Sequence, residues 1–117
     1  MRKIYAIVLL FSSFVYSQNE DALIEKYANT FEEANQFVLQ NENEVEDSVA
    51  YFETLLSATT NQYLKNALLL HKALQERRIN PKKALKTLEE VQLYLKNNPE
   101  YKQLLFILQY YLRKNYL

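Results

Sequence analysis

The chain has 117 residues, with fourteen Lys and Arg against fourteen Asp and Glu, no cysteine, no glycine and one histidine. Disulfide staples, thiolate metal sites, thiol nucleophiles and glycine-rich phosphate loops are therefore excluded, and stability has to come from packing. A chain of this size buries one modest core, so a single domain is expected.

The first seventeen residues stand apart. Arg2 and Lys3 precede the apolar run Ile4 to Phe14 and the site Val15-Tyr16-Ser17, the pattern of a secretory signal peptide cleaved between Ser17 and Gln18. An uncleaved membrane anchor is the competing reading. Ile4 to Tyr16, however, is only 13 residues and is broken by Ser12 and Ser13, whereas crossing the hydrocarbon takes about 20. The expectation is a leader at 1–17 and one helical domain at 18–117, exported to a periplasm or secreted. Cleavage removes two bases and no acid, which leaves twelve bases against fourteen acids and a net charge of −2.

After the leader the helix signals dominate. The first predicted helix runs from about Glu20 to Gln40, with Leu23, Ile24, Tyr27, Phe31, Ala34 and Val38 on one face. The second, about Glu44 to Ser57, follows a capping box of Asn43 with Glu46 and carries the stripe Val45, Val49, Phe52 and Leu56. The third spans about Asn61 to Arg78 behind a box of Thr59 with Gln62, and turns Tyr63, Leu64, Ala67, Leu70, His71 and Leu74 inward. Asn80-Pro81 and Asn98-Pro99 read as helix starts, because Asn can accept from free backbone N–H groups and Pro at the first helical position has its φ already set. They open a fourth helix to about Lys96, with Ala84, Leu88, Val91 and Leu95 inside, and a fifth from Pro99 to about Asn115. The predicted architecture is all-α, five helices arranged as two antiparallel hairpins plus a C-terminal helix.

Charge is distributed unevenly along these helices. Between Glu20 and Glu53 ten carboxylates face the single base Lys26, a local charge of −9, and from Lys65 to Lys114 eleven bases face four acids, a local charge of +7. Such a dipolar chain suggests halves that attract one another, or molecules that associate head to tail. Solvated helix faces of opposite sign are the plainer explanation, since exposed pairs contribute little.

A faint repeat is present. Val45, Val49, Phe52 and Leu56 fall 39 residues before Ala84, Leu88, Val91 and Leu95. A shift of 40 brings Leu23, Ile24, Tyr27, Ala28 and Ala34 onto Tyr63, Leu64, Ala67, Leu68 and Leu74. Repeated hairpins of this kind stack into α-solenoids. The segment Asn80-Pro81-Lys82-Lys83-Ala84-Leu85-Lys86-Thr87-Leu88-Glu89-Glu90-Val91 resembles the second helix of a tetratricopeptide repeat, with Ala84, Leu88 and Val91 at its small, large and small positions. Ala67, Leu70 and Leu74 resemble its first helix, while His71 stands where the family has a small residue and the unit is longer than the family's roughly 34 residues. The resemblance implies a helical-repeat scaffold that binds proteins without catalysis.

Few residues offer reactive chemistry. His71 has no H-E-x-x-H partner and reads as a packed or half-buried histidine, with a pH-sensitive contact to the acidic first hairpin as the alternative. The run Glu42-Asn43-Glu44-Val45-Glu46-Asp47 lacks the glycine of a calcium loop and reads as a turn leading into an acidic helix start. The doublets Glu32-Glu33 and Glu89-Glu90 point about 100° apart on a helix and form no facing dyad. No catalytic residue, metal ligand or cofactor site is expected.

Two regions suggest binding instead. Arg77, Arg78, Lys82, Lys83 and Lys86 cluster at one interhelical turn and suit an acidic protein surface better than nucleic acid, which an exported protein seldom meets. In the fifth helix Tyr101, Leu104, Leu105, Leu108, Tyr111 and Leu112 form a core stripe, while Phe106, Tyr110 and Leu117, flanked by Ile107 and Tyr116, lie nearly opposite. A second stripe means either a helix central in a bundle or a partner surface. The expected contacts are Phe106, Tyr110 and Tyr111, then Arg77, Arg78 and Lys82, serving a protein partner or self-association, with a membrane or cell-wall surface as the alternative.

Overall fold

The structure is a computed structural model that describes residues 19–115; the expected leader at 1–17 lies outside the described residues, as do Tyr116 and Leu117. All regular structure among the described residues is helical, in six helices rather than the expected five. These are α1 (19–26), α2 (Ala28–Gln40), α3 (Val45–Ser57), α4 (Gln62–Glu76), α5 (Pro81–Asn97) and α6 (Lys102–Asn115). Among α2 to α6 the main helix contacts join neighbours in sequence: α2 to α3, α3 to α4, α4 to α5 and α5 to α6.

The extra helix comes from a bend at Tyr27, whose φ of −103° and ψ of 13° lie in the bridge region. The chain stays hydrogen-bonded through it, Tyr27 N–H to the Leu23 carbonyl and Phe31 N–H to that of Tyr27, each at 3.0 Å. Packing explains the bend. Leu23 and Ile24 lie against a cluster shared by α4, α5 and α6, whereas Val38 lies against one formed by Ala34, Phe52, Leu64 and Leu68, and Phe31 touches both. Redirecting the chain at Tyr27 lets α1 and α2 each meet their own cluster.

Caps divide into those set by local sequence and those that are not. Asn80 starts α5 as expected, its Oδ1 accepting from Lys83 N–H at 3.2 Å with Pro81 in the first turn. Asn61, not Thr59, caps α4 by accepting from Leu64 N–H at 3.0 Å, while the Thr59 hydroxyl turns back to donate to the Leu55 carbonyl. Glu44 precedes α3 with no side-chain cap, so the expected box of Asn43 and Glu46 does not form. At Asn98-Pro99 the expected start fails altogether. Asn98 Nδ2 donates 2.8 Å to the Tyr94 carbonyl and closes α5, and α6 begins only at Lys102. Its cap is supplied by Glu20, whose Oε1 accepts from Gln103 N–H at 2.8 Å.

The centre of the fold is α4. It buries Tyr63, Leu64, Ala67, Leu68, Leu70 and Ala73, more than one helical stripe, because α3 covers one flank and α5 the other. From α5 the expected Ala84, Leu88, Val91 and Leu95 are all buried, and from α6 Leu104 and Leu108. Glu76 is also buried, held by Lys72 at 3.9 Å and Lys83 at 3.8 Å, with Lys72 reaching on to Glu53 at 3.7 Å. Leu88 is 1 % exposed within the cluster joining α4, α5 and α6. Leu88→Ala should therefore lower stability by about 2–5 kcal/mol, read as a lower urea midpoint with an unchanged slope.

Candidate interaction surface

The aromatic face of α6 is set by where the helix starts and by what covers its inner side. Glu20, itself 2 % exposed, holds the start of α6 through Gln103 N–H and receives the Tyr63 hydroxyl at 3.5 Å from the start of α4. Asp21 adds a 2.7 Å hydrogen bond from Gln103 Nε2. A carboxylate at a helix N-terminus both satisfies a free N–H and meets the positive end of the dipole. Around this junction Tyr101 packs edge-on to Tyr63 at 4.8 Å and stacks with Tyr94 at 6.1 Å. Burial, then the charge of Glu20, raise the Tyr63 hydroxyl well above the usual phenol range, while burial and the neighbouring Tyr101 push Tyr94 up to about 12.

With Leu104 and Leu108 turned inward, the 3.6-residue period turns Phe106 and Tyr110 outward, where they are 71 % and 54 % exposed. Ile107 borders them and Leu93 of α5 is a further exposed apolar side chain. Tyr111 is half-buried, packing edge-on to Tyr110 at 5.4 Å. The Lys114 ammonium sits 5.8 Å from the centre of the Tyr110 ring. Of the expected contacts, then, Phe106 and Tyr110 lie open on the surface and Tyr111 packs against Tyr110 from the side.

The basic corner is placed differently. Arg77 donates from Nε to the Leu74 carbonyl at 3.1 Å, closing its own helix, and Arg78 Nη1 donates to the Glu42 carbonyl at 3.1 Å in the α2–α3 turn. The link to the acidic hairpin thus runs through a main-chain oxygen. Lys82 and Lys86 are exposed along α5. Across that turn, Glu42, Glu44, Glu46 and Asp47 are exposed, and the hydrogen bond and charge of Asp47 raise the pKa of Glu44. Among the described residues no three His, Asp or Glu side chains converge to hold a metal ion.

His71 faces a crevice of about 60 Å³ bounded by α2, α3 and α4, large enough for a few waters. Its ring stacks against Phe52 at 6.3 Å and meets Phe31 at 6.4 Å. Contrary to the expected inward packing, His71 is exposed on one side; the rings of Phe31 and Phe52 crowd the other, the charged form loses solvation there, and the pKa falls below the ordinary 6.5.

A second surface was not legible as a site. Phe37, off the predicted stripe of its helix, stacks on Tyr51 of α3 at 4.2 Å and 8°, and a groove beside the pair is lined by Asn29, Glu32, Glu33 and Gln36. The only signals for it were two aromatics outside the core periodicity and a glutamate doublet on the same helix as one of them.

Comparison with known proteins finds no matching family model, no matching curated protein and no matching solved structure. Among the described residues no helix is long and apolar enough to cross a membrane.

Two measurements follow from this geometry. Glu20→Ala should cost about 0.5–2 kcal/mol, the usual worth of an N-cap, and should speed amide hydrogen exchange at Gln103 while leaving the amides of α3 unchanged. For His71 the unfolded chain binds more protons than the folded one below pH 6.5. Stability should therefore decline as pH falls from there to the lowered folded value, and then level off. His71→Gln should flatten that part of the curve in chemical denaturation at a series of pH values.

Proposed function

We propose that this chain is an exported, non-catalytic helical module that binds protein through the outer face of α6. The observation that carries the reading is the exposure of Phe106 and Tyr110 on the side of α6 opposite Leu104 and Leu108. Aromatic side chains bring large apolar area with few rotatable bonds, and the Tyr hydroxyl can bond at a rim, which is why such residues are enriched where proteins meet. Lys102, Arg113 and Lys114 are the only charged residues of α6 and favour an acidic partner. The corner of Arg77, Arg78 and Lys82 is a secondary contact, with Arg78 and Lys82 its exposed members. Export rests on the leader pattern at 1–17, and the tetratricopeptide-like segment over α4 and α5 fits a scaffold role.

A membrane or cell-wall surface is the second reading, favoured by the same combination of exposed rings and bases on one helix face.

The double variant Phe106→Ser/Tyr110→Lys separates the outcomes. It should keep the helical circular dichroism signal and change stability by no more than about 0.5 kcal/mol, while losing the complexes that the parent chain forms, as read by affinity capture and light scattering. Equal capture by parent and variant counts against the α6 face. Flotation of the parent with vesicles containing anionic lipid, lost in the variant, would instead favour the membrane.

A further inference from the structure

We propose that the α6 face docks into the α2–α3 groove of a second copy of this chain, so that molecules join head to tail. The inference rests on α6 being a binding face and names its partner.

Charge is the first argument. Helix α2 contains Glu32 and Glu33 and no base, whereas α6 contains Lys102, Arg113 and Lys114 and no acid. Among the described residues the ion pairs Glu53–Lys72, Lys72–Glu76 and Lys83–Glu76 involve only α3, α4 and α5. The acids of α2 and the bases of α6 are thus left over on the first and last members of the α2–α6 succession, where each has its main contacts with one other member, α3 and α5 respectively.

Surface chemistry is the second. The groove is walled in part by the half-buried, mutually stacked rings of Phe37 and Tyr51, with Glu32 and Glu33 on its lining. The α6 face offers the complement, two exposed rings with bases around them. Leu39, 55 % exposed, is a further apolar side chain on the surface of α2. Symmetric pairing of α6 with α6 would bring six bases together without an acid, and like charges in contact are strongly disfavoured. Pairing α6 with α2 opposes three bases to two acids.

A contact between two different faces does not close on itself after one step. Each docked pair still presents one unused groove and one unused α6 face, so the assembly extends as an open chain or closes as a ring.

The test uses the chain purified from an exporting host, its N-terminus read by mass spectrometry. Light scattering from micromolar to millimolar concentration at low salt compares it with a head variant, Glu32→Lys/Glu33→Lys, and a tail variant, Phe106→Ser/Tyr110→Lys. The parent should grow beyond a dimer with concentration and return toward monomer at about 0.5 M salt, where charges are screened within a few Å. Each variant alone should stay monomeric with its helical signal intact. An equimolar mixture should stop at two subunits, because only one junction in it has both faces unaltered. If Glu32→Lys/Glu33→Lys perturbs the fold, Glu32→Gln/Glu33→Gln replaces it and should reduce association without adding positive charge. A head variant that still associates like the parent overturns the head-to-tail junction and leaves α6 as a binding face. A parent that is monomeric at every concentration overturns self-docking, and capture with the tail variant then decides separately whether α6 binds another protein.

Discussion

The fold depends on α4 being covered from both flanks at once. A helix packed on one side needs a single apolar stripe, but α4 lies between α3 and α5 and has to be apolar or well matched around much of its circumference. It meets that demand with small residues where neighbours approach, Ala67 and Ala73, and with leucines between them. Polarity enters this core too: Glu76 is buried with one carboxylate oxygen beside the ammonium groups of Lys72 and Lys83, while its Oε1 and the buried Ser48 Oγ have no hydrogen-bond partner among the described residues. With no cysteine to staple the chain, this contiguous packing is what orders the flanking helices, and through α5 it sets the direction in which α6 presents its outer face.

At the margins of the stack the constraint relaxes, and the surface shows it. Helices α2 and α6 each keep an outer face with apolar and charged residues side by side, acidic on one and basic on the other. Their inner faces are fixed by different means. Helix α2 follows a bend at Tyr27 that fits it to α3, while α6 is anchored at its start by a carboxylate from α1. The same short segment, 19–27, therefore serves both margins.

Much of this was legible in the residues because it is local. The periodicity of Ala84, Leu88, Val91 and Leu95 placed the buried side of α5, Asn80-Pro81 placed its start, and the second stripe on α6 placed Phe106 and Tyr110 away from the core. Apart from the caps of α3 and α4, which differ locally, the failures share a physical origin in distance along the chain. Asn98-Pro99 carries the same local signal as Asn80-Pro81, yet Asn98 closes α5, and the start of α6 is capped instead by Glu20, 83 positions before Gln103. The bend at Tyr27 needs neither proline nor glycine, since it arises from two separate core clusters competing for one helix. Leu68 and Ala73 fall outside any single stripe and are buried only because α4 has neighbours on two sides. The Phe37–Tyr51 groove was missed for a related reason, as its two halves come from different helices.

The bond from Glu20 to Gln103 also has a kinetic meaning. Because the main helix contacts join neighbours, each can form as soon as its two members exist, and folds dominated by such short-range contacts assemble quickly. The carboxylate of Glu20 is made early in synthesis, but its donor, the Gln103 N–H, arrives only after α5 is complete. Synthesis from the N-terminus therefore leaves this junction to close only after the central helices are made, so that docking of α6 ties the early segment 19–27 to a late one.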